Sequence, residues 1–147
     1  MNLPVFLFRM FSLALSFALL PQTLSAHGDD VPTDPGVAKD HFTVYDQSDR
    51  YELTLYHPEL VAGQEVHLML FVADYKSNRP IDKAELKIGV AEDPQIVFDI
   101  HPVSQGVYEL HVAFPENKPY TLNVQVAHPN GADLIGITGV EVGKKLA

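Results

Sequence analysis

Alternation of apolar and polar side chains dominates the sequence from residue 41 onward, and this period of two constrains the fold more than any other feature. Apolar residues occupy every second position of one short run after another, found at residues 51–55, 66–72, 84–90, 96–100, 108–114, 120–126 and 134–142. Because successive side chains of a strand point to opposite faces, this pattern predicts half-buried antiparallel strands.

Turn-forming residues separate these runs. Pro, Gly, Asn, Asp and Ser cluster at residues 77–80, 92–94, 104–106, 116–119 and 129–131. Short strands with turn signals recurring about every dozen residues are typical of immunoglobulin-like sandwiches. We therefore expect an all-β fold, an immunoglobulin-like antiparallel β-sandwich of seven to eight strands, built by residues 41–147 as one domain.

The first 26 residues have the composition of a secretory leader. Arg9 precedes an apolar stretch at residues 10–20, which Pro21 and the small residues 24–26 follow. This pattern predicts a signal peptide cleaved after Ala26 and a periplasmic protein. The apolar stretch is shorter than the ~20 residues of a membrane span, so we expect no membrane insertion after cleavage, although an uncleaved anchor is the alternative.

Residues 27–40 contain four aspartates, two prolines and two glycines without apolar periodicity, and we interpret them as a flexible acidic arm. Cleavage after Ala26 would leave His27 with a free α-amine next to its imidazole. Asp29 and Asp30 are close enough to complete a ligand set. Copper and nickel prefer such nitrogen-rich sites, so His27 is one candidate metal ligand.

Composition excludes several classes of function. The chain has no cysteine, which rules out thiolate metal cages, disulfides and thiol nucleophiles. Its formal net charge of −9 argues against nucleic-acid binding. None of the common hydrolase, metalloprotease or phosphate-binding motifs occurs, and we do not expect an enzyme.

The histidines provide the second candidate metal site. In immunoglobulin strand order the run beginning at residue 65 pairs with the run beginning at residue 107. With the aliphatic residues facing inward, His67, Met69, Glu109 and His111 share one outer face. Cross-strand neighbours have Cβ atoms ~5 Å apart, so these side chains could share one ion if the register, which the sequence leaves open, sets them opposite each other; a slip of two residues would separate them. Imidazole with thioether suits copper, and imidazole with carboxylate suits zinc or nickel.

Other side chains have a structural or interaction role by the same reasoning. Tyr56, Met69 and Phe71 make the outer face unusually apolar, which favours a protein partner docking there. Tyr120 occupies the position of a tyrosine corner, and Tyr108 faces inward. The histidines that precede proline (His57, His101 and His128) are expected at the surface, at strand ends or turn entries.

Two stretches resemble the N-terminal β-sandwich region of periplasmic adaptor (membrane-fusion) subunits from heavy-metal efflux pumps of the resistance-nodulation-division type. In residues 55–90 the likeness depends on Pro58, Leu60, Gly63, Pro80 and Ala84, and in residues 106–135 on the Gly-x-Tyr start and the alternating strand after it. The adaptors continue into further domains, whereas this chain resembles the sandwich region as a stand-alone domain.

From these observations we expect a non-enzymatic periplasmic accessory domain that assists heavy-metal efflux or metal-ion handling. It would act through protein contacts and weak binding of copper or a divalent metal. One alternative is a dedicated copper or nickel carrier. The other is a structural or adhesive module without metal.

Overall fold

The computed structural model describes residues 40–147. The expected leader, and the acidic arm apart from Asp40, lie outside the described residues, as does His27. The described part of the chain contains no helical segment with the length and apolar character of a membrane span.

The structure describes eight strands in two antiparallel sheets. They are β1 (Phe42–Gln47), β2 (Tyr51–His57), β3 (Glu65–Asp74), β4 (Glu85–Val90), β5 (Asp99–Ser104), β6 (Val107–Ala113), β7 (Pro119–His128) and β8 (Gly131–Glu141). The larger sheet has the order β1-β2-β3-β6-β5 and the smaller one the order β4-β7-β8. Apart from β1, these are the two strand orders of an immunoglobulin constant domain. The predicted fold class is therefore confirmed, and β1 is an additional edge strand beside β2.

The core lies between the sheets and is filled by the inward positions of the alternating runs. In β2 every second residue is buried, and Leu53 and Leu55 are fully so. Leu68 and Leu70 of β3 and Leu110 of β6 are equally inaccessible. Ile96 and Phe98 are buried as well, although they lie in the turn region ahead of β5, which begins only at Asp99. Burial of these apolar side chains is the main force that holds the two sheets together.

Two tyrosines join the strands at positions predicted from the sequence. Tyr120, near the start of β7, is buried, and its hydroxyl donates to the Glu116 carbonyl at 3.2 Å and accepts from the Glu116 amide at 3.3 Å. This is the tyrosine corner of immunoglobulin-like sandwiches. Tyr108 faces inward, and its hydroxyl donates to the Ala84 carbonyl at 3.2 Å. Both predictions are confirmed.

Gly106 lies in the turn between β5 and β6, where the chain passes close to β3. Gly106 has a φ of +69°, and a Cβ at this position would lie 2.7 Å from the Val72 carbonyl oxygen. The Gly106 carbonyl accepts a hydrogen bond from the Val72 amide at 2.8 Å. Glycine is therefore required here both for its conformation and for the close approach of β3.

The prediction of surface positions was wrong for His57. This residue ends β2, as expected before a proline, but it is only 2% exposed. It lies on the same inward-facing side of β2 as Leu53 and Leu55. Its ring stacks on that of Phe42 at a centroid distance of 5.2 Å. The alternation of side chains along a strand determines which residues are buried, whereas a proline restricts only the backbone of the residue before it. His101 is exposed, as expected, but it lies within β5 and not at its end, whereas His128 ends β7.

Candidate metal centre

Three neighbouring strands, β3, β6 and β5, bring histidines and carboxylates together on the outer face of the larger sheet. His67 lies opposite His111, and Met69 lies opposite Glu109. The sequence predicted that these side chains share one outer face but left the register open, and the structure gives the register that places the two histidines side by side. On the other side of β6, Asp99 lies opposite His111 and His101 lies opposite Glu109.

Each of these strands carries the same short pattern, an acidic residue, an aliphatic residue and a histidine. The three copies are Glu65-Val66-His67 in β3, Glu109-Leu110-His111 in β6 and Asp99-Ile100-His101 in β5. Strand alternation turns the aliphatic residue toward the core and places the acid and the histidine outside. We call the six outward side chains the histidine cluster: His67, His101, His111, Glu65, Asp99 and Glu109.

The three imidazoles of the histidine cluster lie side by side, with His111 in the middle. The rings of His67 and His111 are stacked with centroids 3.8 Å apart and an interplanar angle of 6°. The ring of His101 lies 4.7 Å from that of His111 and is tilted by 49°. His111 is therefore in direct contact with a histidine from each neighbouring strand.

A single carboxylate oxygen of Glu109 contacts two of these rings. Glu109 Oε1 lies 2.6 Å from Nε2 of His111 and 3.1 Å from Nδ1 of His67. The hydrogen bond with His111, supported by the positive charges that His111, His67 and His101 can carry, holds the pKa of the Glu109 carboxyl below its usual value. Glu109 is therefore ionised at neutral pH and accepts hydrogen bonds from the rings.

Two three-residue ligand groups occur in residues 40–147. The inner ligand group consists of Glu65, His67 and His111, and the edge ligand group consists of Asp99, His101 and His111. Within each group, one potential ligand atom from every residue lies within 4.8 Å of the others. Two imidazoles and one carboxylate form a donor set that zinc sites use when they keep a coordination position open.

The histidine cluster is accessible to solvent. The side chains of His67 and His101 are 57% and 51% exposed, whereas that of His111 is 26% exposed. Glu65, Asp99 and His111 also line an open depression of about 560 Å³. An ion could reach or leave these ligands without any movement of the sandwich.

The structure brings some of the predicted ligands into contact with one another. His67, Glu109 and His111 are in contact, as described above. Met69 is half-buried and lies opposite Glu109 on β6. His101, Asp99 and Glu65 were not among the predicted ligands, although the threefold acid–aliphatic–histidine pattern would have identified them.

An aromatic patch adjoins the histidine cluster on the same face. The rings of Tyr56 and Phe71 pack edge to face at 5.0 Å, and Met69 lies opposite Tyr56 on the neighbouring strand. Tyr56 and Phe71 also line a groove of about 290 Å³ that continues to Val107. The outer face therefore has an imidazole–carboxylate half and an aromatic half.

Comparison with known protein families finds no model that matches the chain, and comparison with the curated proteins finds no match. An immunoglobulin-like fold supports many unrelated functions, so the fold alone does not assign one. Function has to be inferred from the histidine cluster.

Proposed function

We propose that this domain binds a divalent transition-metal ion reversibly at the histidine cluster and takes part in metal-ion handling outside the cytoplasm without catalysing a reaction. The observation that supports this proposal is the convergence of three histidines from three adjacent strands, each accompanied by a carboxylate on its own strand. Three histidines in contact are unusual on a solvated sheet face, whereas imidazole is the commonest metal ligand in proteins.

The donor set restricts the metal. Imidazole and carboxylate suit zinc, nickel and copper(II), whereas copper(I) prefers the soft ligands of cysteine and methionine. The chain has no cysteine, so an ion here would lack thiolate ligands. A site of this chemistry, open to solvent, favours exchange of the ion over permanent storage.

Charge also supports cation binding. The three carboxylates of the histidine cluster lie beside its imidazoles, and the lowered pKa of Glu109 keeps its negative charge at neutral pH. No lysine or arginine forms an ion pair with Glu65, Asp99 or Glu109 among the described residues; their ion pairs are with histidines. A local excess of negative charge attracts cations and raises their rate of association.

The cellular setting belongs to the same proposal. A periplasmic location is supported by the leader-like composition of residues 1–26. A role beside a heavy-metal efflux system is supported by the resemblance to adaptor subunits. The aromatic patch next to the histidine cluster favours a protein partner that receives or delivers the ion.

Metal binding by the purified secreted form tests the proposal directly. Calorimetric titration with Zn²⁺, Cu²⁺ and Ni²⁺ is expected to detect binding that disappears when His67, His101 and His111 are all replaced by alanine. His128→Ala is the matched control, because His128 lies at the end of β7 in the other sheet. If the triple variant binds as well as the wild type and His27→Ala abolishes binding, the proposed site is wrong.

A growth assay tests the role in the cell. A strain of the source organism without the gene is expected to grow more poorly at elevated concentrations of the metal that binds most tightly. Plasmid-encoded wild type and the His128→Ala variant should restore growth, whereas the triple histidine variant should not. Equal restoration by all three would contradict a function that depends on the histidine cluster.

A further inference from the structure

We infer that the histidine cluster holds one metal ion at a time in two alternative positions, which share His111 and differ in their remaining ligands. One position uses the inner ligand group and the other uses the edge ligand group. This inference rests on the proposed function and specifies how the same site binds its ion.

The shared ligand is the observation that points to alternative positions. His111 belongs to both ligand groups, whereas Glu65 and His67 occur only in the inner one and Asp99 and His101 only in the edge one. The two exclusive pairs come from β3 and β5, the strands on either side of β6. An ion bound to His111 therefore has a carboxylate–histidine pair within reach on each side.

The chemistry of His111 limits the occupancy to one ion. A neutral imidazole has one nitrogen with a free lone pair, because its other nitrogen carries the proton. In His111, Nε2 lies 2.6 Å from the Glu109 carboxylate, which can only accept a hydrogen bond. The proton therefore belongs on Nε2, and Nδ1 is the single nitrogen available to a metal.

Glu109 acts as a positioning residue in this arrangement. The same oxygen lies 3.1 Å from Nδ1 of His67 and fixes the proton there. This leaves Nε2 of His67, 3.9 Å from the Glu65 carboxylate, as the metal-binding nitrogen of the inner ligand group. Carboxylates that orient metal-binding histidines in this way are common around metal sites.

The edge ligand group is assembled independently of Glu65. Nε2 of His101 lies 3.0 Å from the Asp99 carboxylate, and both residues belong to β5. By the same reasoning this nitrogen carries the proton in the metal-free protein, which leaves Nδ1 of His101 as its metal-binding nitrogen. Because each side supplies one imidazole and one carboxylate, the two positions have the same donor set. An ion could move between them while it stays bound to His111, so it can exchange ligands without being released into solvent.

Single substitutions distinguish two positions from one. If the positions have equal affinity, removing one of them lowers the total affinity by only about twofold. We therefore expect His67→Ala and His101→Ala each to weaken Zn²⁺ binding about twofold. His111→Ala removes a ligand from both positions and should weaken binding by more than about tenfold, as should the His67→Ala/His101→Ala double variant.

The experiment measures the affinity of each variant by competition with a chromogenic chelator and counts bound Zn²⁺ by native mass spectrometry. One ion per chain and the expected order of affinities support the inference. Two ions per chain, or a loss for one flanking variant as large as that of His111→Ala, would overturn it. Failure of the wild type to bind Zn²⁺, Cu²⁺ or Ni²⁺ would instead overturn the proposed function.

A spectroscopic measurement gives an answer that does not depend on the size of the affinity changes. Electron paramagnetic resonance of the Cu²⁺-loaded protein is expected to show two overlapping copper environments in the wild type and a single one in either flanking variant. His128→Ala should retain both, and circular dichroism checks that every variant is folded. A single, unchanged environment in all of these proteins would contradict alternative positions.

Discussion

The outer faces of the two sheets differ sharply, although the same alternation produces both. On the smaller sheet the outward side chains include Glu85, Lys87 and Gln125, and the Glu85 carboxylate lies 3.8 Å from the Lys87 ammonium. Both of those side chains are 72% exposed, which is typical of a solvated surface pair. On the larger sheet, histidines and aromatic residues occupy the equivalent outward positions.

This difference separates the positions that the core requires from the positions that it leaves free. The inward positions of both sheets must be apolar to build the core, so they carry little information about function. The outward positions are free of that requirement, and the smaller sheet uses them for lysine, glutamate and amides. Titratable metal ligands grouped on only one of the two faces are therefore better explained by binding than by folding.

The largest effect on stability should come from an alanine substitution at an inward position of β6, and the same substitution at the neighbouring outward position provides the comparison. Leu110→Ala is expected to lower the free energy of unfolding by about 2–5 kcal/mol because it leaves a cavity in the core. Leu110 is fully buried, whereas the next residue, His111, faces out. His111→Ala should cost less than ~1 kcal/mol in the metal-free protein while it impairs Zn²⁺ binding.

Urea denaturation of both variants, followed by Zn²⁺ titration, provides the test. A stable, metal-binding His111→Ala variant would show that outward positions of β6 do not serve binding. A Leu110→Ala variant as stable as the wild type would contradict the placement of the core.

Metal should stabilise the fold through the larger sheet only. A ligand at a free concentration of 100 times its dissociation constant stabilises the native state by about 2.7 kcal/mol. We expect Zn²⁺ to raise the Tm of the wild type and of the Lys87→Ala variant equally, and a chelator to reverse the increase. In differential scanning calorimetry, an equal increase for the triple histidine variant would place the site elsewhere.

The comparison also includes His57, a buried residue with a titratable side chain on the inward face of the larger sheet. Burial lowers the pKa of its imidazole, although Nδ1 donates to the Pro58 carbonyl at 2.8 Å. Its Nε2 has no hydrogen-bond partner among the described residues. The native state therefore resists protonation that the unfolded state, with a pKa of about 6.5, accepts readily.

The sign of the pH dependence follows from this difference. Above the unfolded-state pKa the ring is neutral in both states, and the stability is fully present. As the pH falls below that value, protonation favours the unfolded state and stability declines until the pH passes the lowered native pKa. Urea denaturation at several pH values between 7.5 and 5 should show a smaller decline for His57→Gln, and identical slopes would refute the role of His57.

The smallest effect is expected on the smaller sheet. Exposed ion pairs contribute little because solvent and salt screen them, so Lys87→Ala should leave both the free energy of unfolding and Zn²⁺ affinity unchanged within experimental error. Chemical denaturation and chelator competition on this variant complete the comparison. A substantial loss of Zn²⁺ affinity would mean that the two outer faces are not functionally distinct.

Much of the fold and part of the site could be predicted from the sequence. Period-two alternation gives the face of each residue, and immunoglobulin strand order then puts His67 and His111 on neighbouring strands of one face, whereas their register comes from the structure. The same alternation would have predicted an inward-facing His57. The surface prediction for this residue was based instead on the backbone preference of a residue that precedes proline. His101 also precedes a proline and was assigned to the surface on that ground, and its contact with His111 depends on the pairing of β5 with β6.

Other features of the site could not be derived from a pattern. The stacking of the imidazoles and the sharing of one Glu109 oxygen depend on side-chain rotamers and on the twist of the sheet. Alternation assigns a face to each residue but leaves these interatomic distances undetermined. The division into two ligand groups became visible only from the positions of the ligand atoms in space.

The central claim concerns which histidines bind the ion, and nuclear magnetic resonance of their ring nitrogens tests it most directly. During titration of the ¹⁵N-labelled protein with Zn²⁺, we expect the ring signals of His67, His101 and His111 to shift, while those of His57 and His128 stay unchanged. Shifts confined to histidines outside the histidine cluster, or no shifts at all, would contradict the proposed metal site.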